Sequence, residues 1–303
     1  MKNIKNLPIL KSGDTIGIVA PASVVNKNYI DKTVKSLTEL GFKVELGRNI
    51  FKEFHQFAGT DEQRKFDFQS ALDNNNIKAI FCARGGYGAV RIANQLDFSG
   101  FRKCPKWIVG FSDITVFHSI LNCRLHIFTA HAPMPVNSDS PFYMENLNQL
   151  SAILGGSMPD INFNNHPLNR YGSSRGRLLG GNLSILYSLQ STPFEIETKN
   201  NILFIEDVGE QLYHLDRMMN NLLLSDKLSG LKGLIVGGMT SMEDKKRPFG
   251  KSAYEIIANI VRQFKFPVAF DFPAGHIDNN IPFVLGTEIE LNVTKEKTWV
   301  KYL

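Results

Sequence analysis

The strongest constraint on this chain is the regular alternation of short apolar runs and helix-patterned segments over its first third. Thr15–Ala20 (TIGIVA) is an apolar, β-rich run that ends at Pro21-Ala22-Ser23. Asn28–Leu40 carries Ile30, Val34, Leu37 and Leu40 near helical spacing and closes on Gly41, a residue suited to a helix C-terminus. Phe42–Leu46 predicts a second strand. Thr60–Asp73 opens on Thr60-Asp61-Glu62 and carries Phe66, Phe68 and Leu72, the pattern of a capped helix. Ile77–Cys82 and Trp107–Phe111 predict a third and a fourth strand. Strands separated by helices of this length imply a parallel sheet covered on both faces. Ligands of such sheets gather outside the carboxyl ends of the strands.

At 303 residues the chain has room for two domains, and 43% hydrophobic against 21% charged residues excludes disorder and a coiled coil. Between about Ser138 and Arg175 the pattern loosens into Asn, Ser, Pro and Gly, with one helix-like segment at Phe142–Leu154. The expected division is an α/β domain over 1–140, a linker region over 141–174 and a second domain over 175–303. In that second, smaller α+β domain, Asn201–Ile205, Gly233–Val236, Pro267–Phe270 and Glu288–Val293 predict strands and Gln211–Leu224 a helix. Cys82, Cys104 and Cys123 form no CxxC spacing, which points to neither a disulfide framework nor a zinc site and fits a reducing cytoplasm. Met1–Leu10 has early lysines but too short an apolar stretch for a signal sequence. No window approaches the roughly 18 apolar residues of a membrane span. A net charge of +5 is scattered, and its densest run, Lys245-Lys246-Arg247, sits beside Glu243 and Asp244 as a solvated loop. The expectation is an intracellular protein with neither a nucleic-acid nor a membrane partner.

Three loops at predicted strand ends carry candidate chemistry. Ala83-Arg84-Gly85-Gly86-Tyr87-Gly88 follows a strand and precedes a helix-like Ala89–Leu96. Its clustered glycines let backbone N–H groups approach an anion, as a tight turn or an oxyanion site, but it has neither Walker A nor GxGxxG spacing. Gly110-Phe111-Ser112-Asp113 runs from a strand into a helix bearing Phe117, Ile120 and Leu121. Ser112 there is either a nucleophile on a strand-to-helix elbow, with the Asp113 N–H available to an oxyanion, or simply the helix N-cap. Of seven histidines, His276 in Pro273-Ala274-Gly275-His276 is the best placed by context to be a base, or else is a hydrogen-bonded turn residue. Glu206 continues an apolar strand into Asp207, and a carboxylate in that position suits the orienting member of a triad. No HxH or HExxH spacing occurs, so no metal is expected.

Together these segments resemble the LD-carboxypeptidase family, serine peptidases that cleave the murein tetrapeptide. The resemblance runs in order from Gly13-Asp14-Thr15 to Pro21-Ala22-Ser23, then through Ala83–Gly88, Gly110–Thr115, Gly180-Gly181-Asn182-Leu183, Phe204–Val208 and Pro273–His276, ending at Gly286. It implies a catalytic triad of Ser112, Glu206 and His276 and an oxyanion hole made by the backbone N–H groups of Gly86 and Asp113. It also implies a flavodoxin-like, three-layer N-terminal domain akin to class I glutamine amidotransferases, and a smaller swivelling β/β/α C-terminal domain. Family members act in the cytoplasm, usually as homodimers, without metal or organic cofactor. The expected reaction releases the terminal D-alanine of murein tetrapeptide in peptidoglycan recycling. Arg84, by its charge, and Tyr87 and Asn182, by their motifs, are the candidates for holding substrate, although Arg84 suits a structural role in its turn equally well. Two alternatives stay open: hydrolysis of microcin-type peptide-nucleotides, whose family members tend to be longer, and a non-catalytic peptide-binding module.

Overall fold

The computed structural model describes residues 7–303; Met1–Asn6, part of the stretch read above for a signal sequence, lie outside the described residues. The chain forms two compact units. One comprises residues up to Met158 together with Asp278–Val284; the other comprises Pro159–Ile277 and Leu285–Leu303.

In the first unit, β1 (Thr15–Val19), α1 (Lys27–Glu39), β2 (Lys43–Leu46), α2 (Asp61–Asp73), β3 (Ile77–Cys82), α3 (Ala89–Ala93), α4 (Ser99–Lys103), β4 (Trp107–Gly110), α5 (Thr115–Ser119), β5 (Thr129–His131) and α6 (Tyr143–Leu154) follow in order. The first five strands are parallel neighbours in the order β5-β4-β3-β1-β2, the doubly wound arrangement. All five residues of β1 are buried. Gly17 is required there because the Ile77 side chain fills the space of a Cβ, approaching it to 2.8 Å. The expected cap of α2 is present as a reciprocal box: Gln63 N–H donates to the Thr60 hydroxyl (3.4 Å) and Thr60 N–H to Gln63 Oε1 (3.0 Å). At its other end, buried Lys106 donates to the carbonyls of Ala71, Leu72 and Asn74 at 2.7–3.0 Å. Burial lowers that ammonium to a pKa of about 8.

The second unit contains β6 (Ile161–Phe163), β7 (Gly172–Asn182), α7 (Leu183–Ser188), β8 (Ile202–Val208), α8 (Leu212–Leu224), β9 (Gly233–Thr240), α9 (Ala253–Ile260) and β10 (Val268–Ala269). The short β11 (Phe283–Leu285) joins the sheet of the first unit beside β5, and β12 (Glu288–Val293) and β13 (Thr298–Tyr302) return to the second. Here β10-β9-β8-β7 are parallel, and β12, β13 and β6 continue the sheet antiparallel. The segment 141–174, expected as a linker, is therefore largely structured: it holds α6, β6 and the start of β7. Its polar sequence misled because the first half of β7 gains its register from β12, with Gly172 opposite Val293 and Arg177 opposite Glu288, rather than from an apolar pattern of its own. Among the described residues no helix is long and apolar enough to cross a membrane.

Candidate active site

Left-handed and glycine-only backbone marks the carboxyl ends of β3, at Gly86 and Gly88, and of β4, at Gly110 and Ser112. Strand β4 ends at Gly110 (φ 155°), Phe111 is extended, and Ser112 then takes a left-handed φ of 64° as the first residue of a short 3₁₀ turn, Ser112–Ile114, leading into α5. The cap position before that turn belongs to Phe111, so the N-cap role considered for Ser112 falls to a residue with no capping atom. A non-glycine residue held left-handed at a strand-to-helix turn is strained, and such strain collects at functional sites. The first hydrogen bond of the turn runs from Ile114 N–H to Phe111 O (3.2 Å), so the Asp113 N–H precedes it. His118 lies behind the elbow and bonds the Gly110 carbonyl through Nε2 at 2.9 Å. A carbonyl only accepts, so Nε2 carries the hydrogen; burial holds the pKa near 4 and keeps the ring neutral.

The glycine-rich turn lies against this elbow. A Cβ on Gly85 would stand 2.8 Å from Ser112 Cβ, 2.9 Å from its Oγ and 3.2 Å from the Asp113 nitrogen, so only glycine allows the two loops this approach. Gly86 is left-handed (φ 90°), and a Cβ there would strike Ser23. Ser23 stitches the turn to the end of β1: its N–H donates to Gly85 O (3.1 Å), and its hydroxyl accepts from Tyr87 N–H (3.2 Å). Arg84 is exposed and donates to Val24 O (2.9 Å), while the Tyr87 ring is 46% exposed and 6.0 Å from Phe57. The Asp113 carboxylate is buried and accepts from Ala89 N–H at 2.8 Å. Burial raises its pKa to about 6, against the opposing effects of that hydrogen bond and of the Arg64 charge.

The second unit assembles a histidine–carboxylate pair. Glu206 and Asp207 are consecutive on β8, both buried. Glu206 Oε2 accepts from His276 Nδ1 at 2.7 Å and from the His276 backbone N–H at 3.1 Å. With Nδ1–H given to the carboxylate, the basic nitrogen is Nε2. The Glu206 side chain is 0% exposed and that of His276 22%. Burial alone disfavours the imidazolium, but the Glu206 hydrogen bond and the charges of Glu206 and Asp207 outweigh it and raise the His276 pKa above its ordinary value.

The local sequence explains the pairing. Between β8 and β9, Ile205 faces Val236 but Asp207 faces Met239, so β9 bulges at Gly237-Gly238. There Gly238 N–H donates to Ala274 O (3.0 Å), and a Cβ on Gly238 would stand 2.5 Å from Ile277. The loop carrying His276 thus lies directly on the bulge. Gly275 (φ 113°) crosses Glu206 so closely that a Cβ would stand 2.7 Å from Glu206 Cβ and 2.8 Å from Oε2. Thr240 Oγ1 donates to the His276 carbonyl at 2.7 Å.

Asp207 turns to other work. It accepts from Asn182 Nδ2 and Ser184 N–H, each at 2.9 Å, while Asn182 Oδ1 accepts from Ile185 N–H (3.2 Å) and the Ser184 hydroxyl (2.8 Å). Asn182, a candidate for holding substrate, is buried as the N-cap of α7. Burial first, and then the Glu206 charge, push the Asp207 pKa up to about 7. A second histidine–carboxylate pair, His214 with Glu210 at 2.5 Å, ties the first turn of α8 to the residue before its N-cap, Gln211; the sequence carries no signal for it beyond the i,i+4 spacing. Among the described residues no group of three His, Cys, Asp or Glu side chains is placed to hold a metal ion.

Comparison with known proteins makes the chain a serine-type hydrolase. The models for the LD-carboxypeptidase N-terminal and C-terminal domains match residues 16–132 and 175–291, and the chain belongs to the LD-carboxypeptidase family. It is 34% identical over 295 residues to the probable murein peptide carboxypeptidase of Bacillus subtilis, covering 96% of this chain and 92% of that one. It is 26% identical to the microcin C7 self-immunity protein of Escherichia coli, over 95% of this chain and 94% of the relative. Among solved structures, the muramoyltetrapeptide carboxypeptidase of Oxalobacter formigenes superposes with a TM-score of 0.85 at 26% identity, over 95% and 98% of the two chains.

Proposed function

We propose that this carboxypeptidase hydrolyses the bond before the terminal D-alanine of murein tetrapeptide, in the cytoplasmic recycling of cell-wall peptides. Ser112 is the nucleophile, His276 the general base and Glu206 the group that orients it. The observation that carries this reading is the left-handed Ser112 at the strand-to-helix elbow, cleared of side chains by Gly85. The Glu206–His276 pair supports it with the tautomer a base requires. In the reaction His276 Nε2 takes the Ser112 hydroxyl proton as Oγ attacks the carbonyl of the third residue. The Gly86 and Asp113 N–H groups stabilise the oxyanion. The carbon–nitrogen bond then breaks, His276 returns the proton to the leaving amine, and D-alanine departs. Water, deprotonated by the same histidine, hydrolyses the acyl-enzyme. Arg84 and Tyr87 are exposed beside Gly86 and suit contacts with the peptide, and the working form is a homodimer without cofactor.

The test is mass spectrometry of purified murein tetrapeptide incubated with the enzyme. Loss of a single alanine is expected, with turnover reduced by about 10³-fold or more in Ser112→Ala. Unchanged turnover in that variant removes the triad, and binding of the tetrapeptide without turnover by the wild-type enzyme selects a binding module. The microcin-immunity relative gives a second reading, in which a peptide-nucleotide is the substrate. Cleavage of an aminoacyl sulfamoyl nucleoside with no action on the tetrapeptide selects it.

A further inference from the structure

Arg64 is a charge buried within the first unit, and its side chain is 0% exposed. It projects from α2 and donates through Nη1 to Pro21 O at 2.6 Å and to Gly88 O at 2.9 Å, and through Nη2 to the Asp61 carboxylate. The Phe57 ring lies 4.9 Å from the guanidinium carbon. Gly88 is the last residue of the glycine-rich turn, with φ 139°, and a Cβ there would stand 2.6 Å from Arg64 Nη1. The next nitrogen, Ala89 N–H, donates to Asp113. The carbonyl and the N–H of one peptide group, Gly88–Ala89, are therefore held from opposite sides by an arginine and a carboxylate whose charges attract. That peptide lies two residues beyond Gly86, and the carboxylate belongs to the residue whose own N–H follows Ser112.

A turn that only reversed the chain would need no buried ion; Ser23 already ties it to the end of β1 with neutral hydrogen bonds. Both Nη atoms of the buried Arg64 are met by fixed acceptors, while its buried Nε has none, and a planar fork held at both tips is a rigid template. We propose that Arg64 is a positioning residue for the LD-carboxypeptidase reaction: with Asp113 it clamps the Gly88–Ala89 peptide and so fixes the turn from which the Gly86 N–H meets the oxyanion. The proposal rests on the oxyanion-hole reading given above. Removing one oxyanion donor typically lowers kcat by about 10²–10³-fold, and misplacing one by about an ångström has effects of similar order.

The experiment compares Arg64→Gln, Arg64→Lys and Asp113→Asn with wild type on murein tetrapeptide, with rates normalised to folded protein by circular dichroism. Arg64→Gln is expected to lower kcat by about 10²-fold and leave KM within about twofold, because the affected interaction is made only in the transition state. Arg64→Lys keeps the charge and part of the donor set and is expected to recover about tenfold of that loss. Asp113→Asn keeps its backbone N–H and an acceptor for Ala89, and is expected to lower kcat by about tenfold. A purely structural arginine predicts instead a lower melting temperature with kcat per folded molecule within twofold of wild type, and that result overturns the proposal. Should Arg64→Gln not fold, Arg64→Lys and Asp113→Asn decide: both within twofold of wild type overturns it equally. Turnover that persists in Ser112→Ala overturns the functional reading and this proposal with it. Turnover that depends on Ser112 but not on Arg64 overturns this proposal alone.

Discussion

At the scale of single residues, the Glu206–His276 pair makes a prediction about pH. In the proposed mechanism His276 acts as base only when neutral, and its pKa lies above the ordinary 6.5 because, against burial, the Glu206 hydrogen bond and charge favour the imidazolium. Activity therefore rises with pH through an apparent pKa above that value. Glu206→Gln withdraws the charge and leaves burial, which acts in the opposite sense. Its kcat/KM profile is expected to shift to lower pH while kcat falls by about 10²–10⁴-fold; an unmoved acid limb would separate His276 from the base role. Ser112, Glu206 and His276 all stand out as residues because each follows an apolar strand in a short polar motif. Arg64 does not. It reads as one more polar position on α2, and its importance appears only when tertiary folding brings Pro21, Gly88 and Asp113 around it.

At the scale of elements, the parallel strands and capped α2 are visible in sequence because burial on both faces and a capping box leave local patterns. The bulge of β9 is not, since Gly237-Gly238 within an apolar run is equally consistent with a straight strand or a turn. Yet this bulge seats the loop that presents His276, and Gly275 completes the fit. Gly275→Ala adds a methyl group 2.7 Å from Glu206 Cβ at a backbone φ of 113°. The loop must lift, and kcat is expected to fall by about 10²-fold, measured beside the melting temperature to separate displacement from unfolding. β7 was hidden for another reason. Its polar half is a strand by virtue of its antiparallel neighbour β12, which is over a hundred residues away in sequence.

At the scale of the whole molecule, the buried acids set the pH dependence of stability. Asp113 and Asp207 titrate near 6 and 7 in the folded chain against an ordinary 3.8, so between those values the folded state holds more protons than the unfolded one. Stability consequently falls as pH rises through that window, and the cost is fully present above it. His276, with a raised pKa, acts in the same direction: its contribution is full below 6.5 and is lost as pH rises through its folded value. His118, held near 4 by burial, opposes them between 4 and 6.5, where the unfolded chain binds the extra proton, but over pH 5–8 its effect is the smaller. The melting temperature is expected to be several degrees higher at pH 5 than at pH 8, and Asp207→Asn should flatten that difference; a melting temperature that climbs with pH over this range contradicts the assignment.

The return of Asp278–Val284 to the first unit also orders events during synthesis. Strand β5 emerges from the ribosome well before β11, its neighbour in the finished sheet, because residues 159–277 must be made between them. Residues 132–282 separate the two strands, and at about 5–20 residues per second that interval is roughly 8–30 s, during which the β5 edge of the nascent sheet stands without its final strand. The half that is translated first is thus completed almost last, and a chain released early would carry Ser112 on a sheet with an open, aggregation-prone margin.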